Sequence, residues 1–135
     1  MKFARNVFIA AGVWGIVVLT PLYFLVDITG RHFPPPTTYA HFFYGFFSLA
    51  MAWQVAFLII GSDPMRFRPL IIPSIIEKFS FVITVIVLYS QARIPLAEAT
   101  AAVPDFFLGI LFSIALAKTR ASDRQPAWSS PPNFA

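Results

Sequence analysis

Few side chains in this sequence could do chemistry, and they are widely spaced. His41 and Asp105 form the sharpest constellation, because each stands where an apolar run begins. Two helices starting there and running the same way would hold both groups at one membrane depth. A hydrogen-bonded His–Asp pair at that depth could relay protons or hold a ligand. The plainer reading sets Asp105 at the positive end of its own helix and His41 at the water interface. Glu77 and Lys78 are neighbours in the chain, and Ser74-x-x-Glu77 reads as a capping box opening a helix. Glu77 and Lys78 would then sit near the headgroups with Arg66 and Arg68, although Glu77 is also a candidate intramembrane proton carrier. On this reading Glu77 and Asp105 start helices from opposite membrane faces. They should be roughly 20 Å apart, too far for a two-carboxylate catalytic pair.

Other chemistries lack their residues. There is no cysteine, which removes disulfides, iron–sulfur clusters, thiolate zinc and thiol catalysis. The two histidines, His32 and His41, are nine residues apart and His32 lies beside a Pro-rich loop, so axial ligation of haem from two helices is not expected. The three methionines form no pattern. No phosphate-binding glycine loop, HExxH, GxSxG or EF-hand is present. The reading is of a protein with no resident cofactor, no metal site and no catalytic cluster. Arg66-Phe67-Arg68 is too small a basic patch for nucleic acid and suits anionic lipid headgroups, at about 1 kcal/mol per basic residue.

The elements that must position these groups are membrane spans. The 135 residues are 58% hydrophobic and 12% charged, against about 25% charged in a soluble domain. Mean hydropathy is +0.73. The expected fold is all-α: an integral membrane up-down-up-down bundle of four helices, at about 7–27, 39–60, 74–91 and 104–118. A transmembrane domain over 1–120 would precede a flexible cytoplasmic tail, 121–135. The first run lacks a small-x-small cleavage site and reads as a retained anchor. Continuous apolar runs argue against a β-barrel, and no internal repeat is visible. Pro34-Pro35-Pro36 ends the first helix, and the Ala-rich stretch from Arg93 to Thr100 reads as a turn leading to a kink at Pro104. Eight of the ten Lys and Arg residues fall on the side of the termini: Lys2, Arg5, Arg66, Arg68, Lys78, Lys118, Arg120 and Arg124. Only Arg31 and Arg93 fall opposite, so both termini should be cytoplasmic.

Helices associate in lipid through small residues. Gly45, Ser48, Ala52 and Ala56 form one stripe on the second span, Gly109, Ser113 and Ala117 one on the fourth, and Ala11 and Gly15 a short one on the first. Each could pack the bundle or join two copies. Beside the second-span stripe, Phe42, Phe46, Trp53 and Phe57 make an aromatic face that in the plainer reading packs or faces acyl chains, and otherwise lines a lipid, quinone or pigment pocket or meets a partner. Gln54 projects nearly opposite the small stripe at mid-membrane. Its amide is costly in lipid, so either the bundle wraps it or a second protein supplies a hydrogen bond, the latter being preferred.

The loop Asp63-Pro64-Met65-Arg66-Phe67-Arg68-Pro69, followed by Ser74-Ile75-Ile76-Glu77-Lys78-Phe79, resembles one recurring in small bacterial four-span membrane proteins. The layout is loosely similar to the DoxX-like group. The resemblance covers about 17 residues and implies a bacterial inner-membrane protein with that loop anchoring the bundle; it implies no activity. The leading expectation is a non-enzymatic accessory or scaffold subunit of a membrane complex, meeting lipids and another membrane protein or a second copy. A lipid- or quinone-binding partner of an oxidoreductase and a small transporter are the alternatives.

Overall fold

The structure, a computed structural model, describes residues 1–32 and 40–123. The Pro34–Pro36 segment and the expected tail from Arg124 onward lie outside these. The regular structure of the described residues is helical throughout: α1 (Lys2–His32), α2 (Ala40–Ser62), α3 (Arg68–Ser90), α4 (Leu96–Ala99), a 3₁₀ turn (Thr100–Ala102) and α5 (Val103–Asp123). Four spans are long and apolar enough to cross a bilayer, Lys2–Leu25, His41–Ser62, Arg68–Ser90 and Leu96–Ala121. The protein is a small multi-pass integral membrane protein built as a four-helix bundle.

The bundle consists of two antiparallel hairpins. α1 packs along α2 and α3 along α5; α1 joins the hairpins through α5, while α2 barely touches α3. The first hairpin closes on missing side chains. A Cβ at Gly12 would come within 2.8 Å of Leu58 and 2.9 Å of the Gln54 carbonyl oxygen, and a Cβ at Gly15 would overlap the Gln54 amide. Gln54 is therefore buried, donating to the Ala50 carbonyl at 3.0 Å with its amide lying on Gly15. The preferred expectation, a lipid-facing Gln54 awaiting a partner protein, is overturned: the bundle wraps it. The interior face of α2 runs Phe43, Phe47, Ala50, Gln54, Phe57 and Gly61, the last two fully enclosed.

The small stripes fare unequally. Ala11 is buried and Gly109 lies under the Phe79 ring, where a Cβ would be 2.9 Å from the ring edge. Gly45, Ser48 and Ala52 are exposed, and a Cβ on Gly45 would meet nothing within 4 Å. The packing seam of α2 is the opposite face, where aromatic and amide groups rather than small ones meet the glycines of α1. Gly15→Val should therefore destabilise the protein by about 1–3 kcal/mol through overpacking. Gly45→Val should leave the unfolding midpoint in detergent unchanged, and equal effects at both sites would contradict the packing described.

Two helix ends differ from expectation. α3 opens at Arg68, with Pro69 in its first turn, not near residue 74. Pro69 sits where backbone N–H groups have no helical partner, and Pro73 costs the helix one hydrogen bond without stopping it. Ser74 is thus no cap: it is buried inside the helix, donating to the Leu70 carbonyl at 2.7 Å. At the other end Arg93 N–H reaches Leu88 O at 3.0 Å and Ala92 N–H reaches Tyr89 O at 2.9 Å. Ala92 takes the left-handed conformation, φ 53°, that this closing motif requires. α4 and the 3₁₀ turn then lead directly into α5, so the fourth span begins at Leu96, not near residue 104.

Candidate functional site

These earlier starts move the charged residues into the bilayer. Lys78 is ten residues into α3 and Asp105 nine residues beyond Leu96. At 1.5 Å per residue each lies about 14–15 Å from its end of the span, near mid-membrane. Glu77 and Lys78 lie well inside α3 and not at its start, while Arg66 and Arg68 of that expected set stand at the loop. Arg66 stacks over the Phe67 ring at 5.5 Å, and Asp63 accepts a hydrogen bond from the Arg66 N–H at 3.2 Å.

Lys78 and Asp105 meet. The Lys78 ammonium is 2.9 Å from Asp105 Oδ1 and 3.1 Å from Glu77 Oε2, and it donates to Glu77 Oε1 at 3.4 Å. Two carboxylates thus converge on one nitrogen, their contacting oxygens no more than about 6 Å apart. The expected separation of roughly 20 Å is overturned. A Lys side chain reaches several ångströms along the bundle, and Asp105 lies deeper than a span starting near 104 allows. Of the two readings of His41 and Asp105, the structure gives Asp105 to Lys78 instead of to His41, in keeping with the plainer reading of His41. His41 stays at the second residue of α2, exposed, with its ring against Phe42 at 4.4 Å, while Asp105 is held by Lys78.

Burial sets the electrostatics. The Lys78 side chain is 5% exposed, those of Asp105 and Glu77 22% and 24%. An ammonium so enclosed is tolerable only with counter-charges. The Phe57 ring adds a cation–π contact, its centroid 5.2 Å from Nζ. The cluster nonetheless holds one more carboxylate than ammonium. Glu77 Oε2 is buried as an atom, lies close to Nζ and yet has no aligned hydrogen bond.

The packing changes character at this depth. Towards the end that carries Lys2 and Arg120 the bundle is closed by Phe8, Phe57 and Phe112. Phe8 and Phe112 stack at 4.2 Å and Phe57 meets Phe112 edge-on at 5.0 Å, all three fully buried. Towards the far end, residues 13–25 of α1 and 41–53 of α2 include none that is buried. There the second hairpin encloses only Val82, Val85 and Ala102. The charge cluster lies where the closed half meets the open one. Phe57 therefore leaves the expected lipid-facing aromatic set and joins the core; Trp53 packs half-buried beside it, while Phe42 and Phe46 stay exposed. Phe46 reaches Phe81 of α3 at 6.2 Å, one of the few ties between α2 and α3.

Lys78 was the residue that sequence reasoning misplaced. The available signal was that it stands five residues after Pro73 with only apolar residues, Ser74 and Glu77 between, and apolar residues again from Phe79. No group of three metal-ligating side chains occurs among the described residues. No family model, no curated protein and no solved structure matches the chain. The DoxX-like expectation is neither supported nor opposed by that result.

Proposed function

We propose that this membrane protein is a small non-enzymatic transporter whose solute site is the Glu77–Lys78–Asp105 cluster. The observation that carries the reading is the enclosed Lys78 ammonium, 2.9 Å from Asp105, at mid-membrane and at the boundary between a sealed and an open half-bundle. Ionisable groups at that depth are costly, pair with one another, and are functional-site candidates by default, solute and ion paths among them. The bias of Lys and Arg towards the termini persists without Lys78, which supports cytoplasmic termini and an outward-facing open half. The loop resemblance supports the bacterial inner membrane. Solid-supported-membrane recording on reconstituted protein tests the reading, with a panel of inorganic cations, organic cations and carboxylates. At least one class should give a charge displacement that Glu77→Gln abolishes. Silence from every class would overturn it.

A second reading, an accessory subunit, draws on a different observation. The Gly45–Ser48–Ala52 face of α2 stays outside the bundle beside exposed Phe42 and Phe46, and a neighbouring helix could approach it closely. Native mass analysis in mild detergent would detect the complex.

A further inference from the structure

We propose that the groove between α1 and α5 binds one anionic phospholipid, with an acyl chain laid along the groove and the phosphate on Lys118. The site is separate from the Glu77–Lys78–Asp105 cluster and does not depend on the transporter reading. The groove has a volume of about 670 Å³ and runs from Phe3 to Trp14 on α1 and from Leu111 to Pro104 on α5. Ala10 and Ala11 line it with single methyl groups, which leaves the gap between the helices unfilled. Trp14 and Phe107 flank its deep end, 57% and 59% exposed. Asn6, near the other end, is its one polar lining side chain besides the Trp14 indole.

Length and charge select the occupant. From Phe3 to Trp14 is about 16 Å of helix, close to the half-thickness of a hydrocarbon core, about 15 Å. The first span opens at Lys2, so the groove begins at the membrane surface and stops near mid-membrane. A partner's transmembrane helix needs a seat through both leaflets, whereas an acyl chain needs one leaflet only. The charge lies at the surface end. Lys118 follows Leu111 by two helical turns and therefore stands on the groove face of α5. It is exposed, and its ammonium lies 4.2 Å from the centroid of the Phe3 ring, which lines the groove. A ring face attracts the ammonium but offers no oxygen acceptor, so its N–H groups remain for a phosphate. Lys2 precedes Asn6 by one turn on the same side of α1. At this end the two helices carry Lys2, Arg5, Lys118 and Arg120 against Asp123. A zwitterionic headgroup brings its own cation to that positive end, and an anionic one does not.

Brominated lipids read the site, because bromine at mid-chain quenches an indole it touches and Trp14 lines the deep end of the groove. The Trp53→Phe/Trp128→Phe chain keeps Trp14 as its one tryptophan. In bilayers, brominated phosphatidylglycerol should associate with Trp14 about fivefold more strongly than brominated phosphatidylcholine, the ratio that one basic residue's attraction gives. Lys118→Gln should bring that ratio close to one, and Lys118→Arg should keep it. Arg120→Gln removes the same charge from the other side of α5 and should leave the ratio nearly unchanged. Ala10→Phe, which fills the groove with the charges intact, should abolish the preference. Lys118, Arg120 and Ala10 are all exposed, so these variants should fold. Native mass analysis of the unaltered chain in mild detergent, offered both lipids in equal amounts, reads the same preference without tryptophan replacement. No preference in the unaltered chain, equal losses from Lys118→Gln and Arg120→Gln, or an Ala10→Phe chain that keeps the preference would each overturn the proposal. A second copy of the chain seated in the groove, shielding Trp14 from both brominated lipids alike, would also overturn it.

Discussion

Lys78→Leu should be the most damaging single substitution in the protein, costing about 3–5 kcal/mol of bundle stability. The ammonium is the cation that both Glu77 and Asp105 contact, and it is nearly sealed from its surroundings. Its removal leaves two carboxylates at mid-membrane with no counter-charge, which is the uncompensated case that makes a broken buried ion pair expensive. Asp105→Leu should cost less, because Lys78 keeps Glu77. The double variant Lys78→Leu/Asp105→Leu should recover part of the loss, since one of the two stranded acids is gone. A double-mutant cycle by denaturant unfolding in mixed micelles measures this coupling. Strict additivity of the two single substitutions would show that the pair contributes nothing.

Phe112→Ala should be next, by a different route. Phe112 is fully buried between Phe8 and Phe57. In water much of the cost of such a truncation is lost transfer energy. Here the separated helices remain in lipid, so that contribution largely cancels and the void remains. Removing roughly 100 Å³ at about 24 cal/mol per Å³ gives about 2–3 kcal/mol. Phe107→Ala, on the exposed side of the same helix, should change the unfolding midpoint little. If the two truncations were equal, the aromatic stack would not be the closed core described.

The span count and the all-helical architecture were legible because they depend on composition over some twenty residues, and no local detail alters that. The site was not, because it depends on where helices begin. Pro69 and Pro73 read as a break, which put Glu77 and Lys78 at an interface; the helix accepts both prolines and starts at Arg68. The Ala-rich stretch before Pro104 reads either as a turn or as a helical start to the last span; a start at the proline puts Asp105 at a surface, whereas the span starts at Leu96. Each shift is about two turns, and together they bring Asp105 to Lys78. The face of α2 was misjudged for another reason. A stripe of small residues marks where close approach is allowed, and Gly12 and Gly15 of α1 already supplied that approach. Gln54 then fitted against glycine instead of needing a second protein.

All three charged members of the cluster belong to the second hairpin, with none contributed by α1 or α2. This bears on how the chain enters the bilayer during synthesis. A lone ammonium threading into hydrocarbon is penalised, whereas a helical pair that arrives with its ions already matched carries far less of that penalty. The loop-closed pair α3–α5 can neutralise Lys78 internally before it ever meets the first two helices. Because α5 is the last span, Asp105 reaches Lys78 only once the whole chain has been made, and until then Glu77, its neighbour on α3, is the one counter-charge the second hairpin offers it.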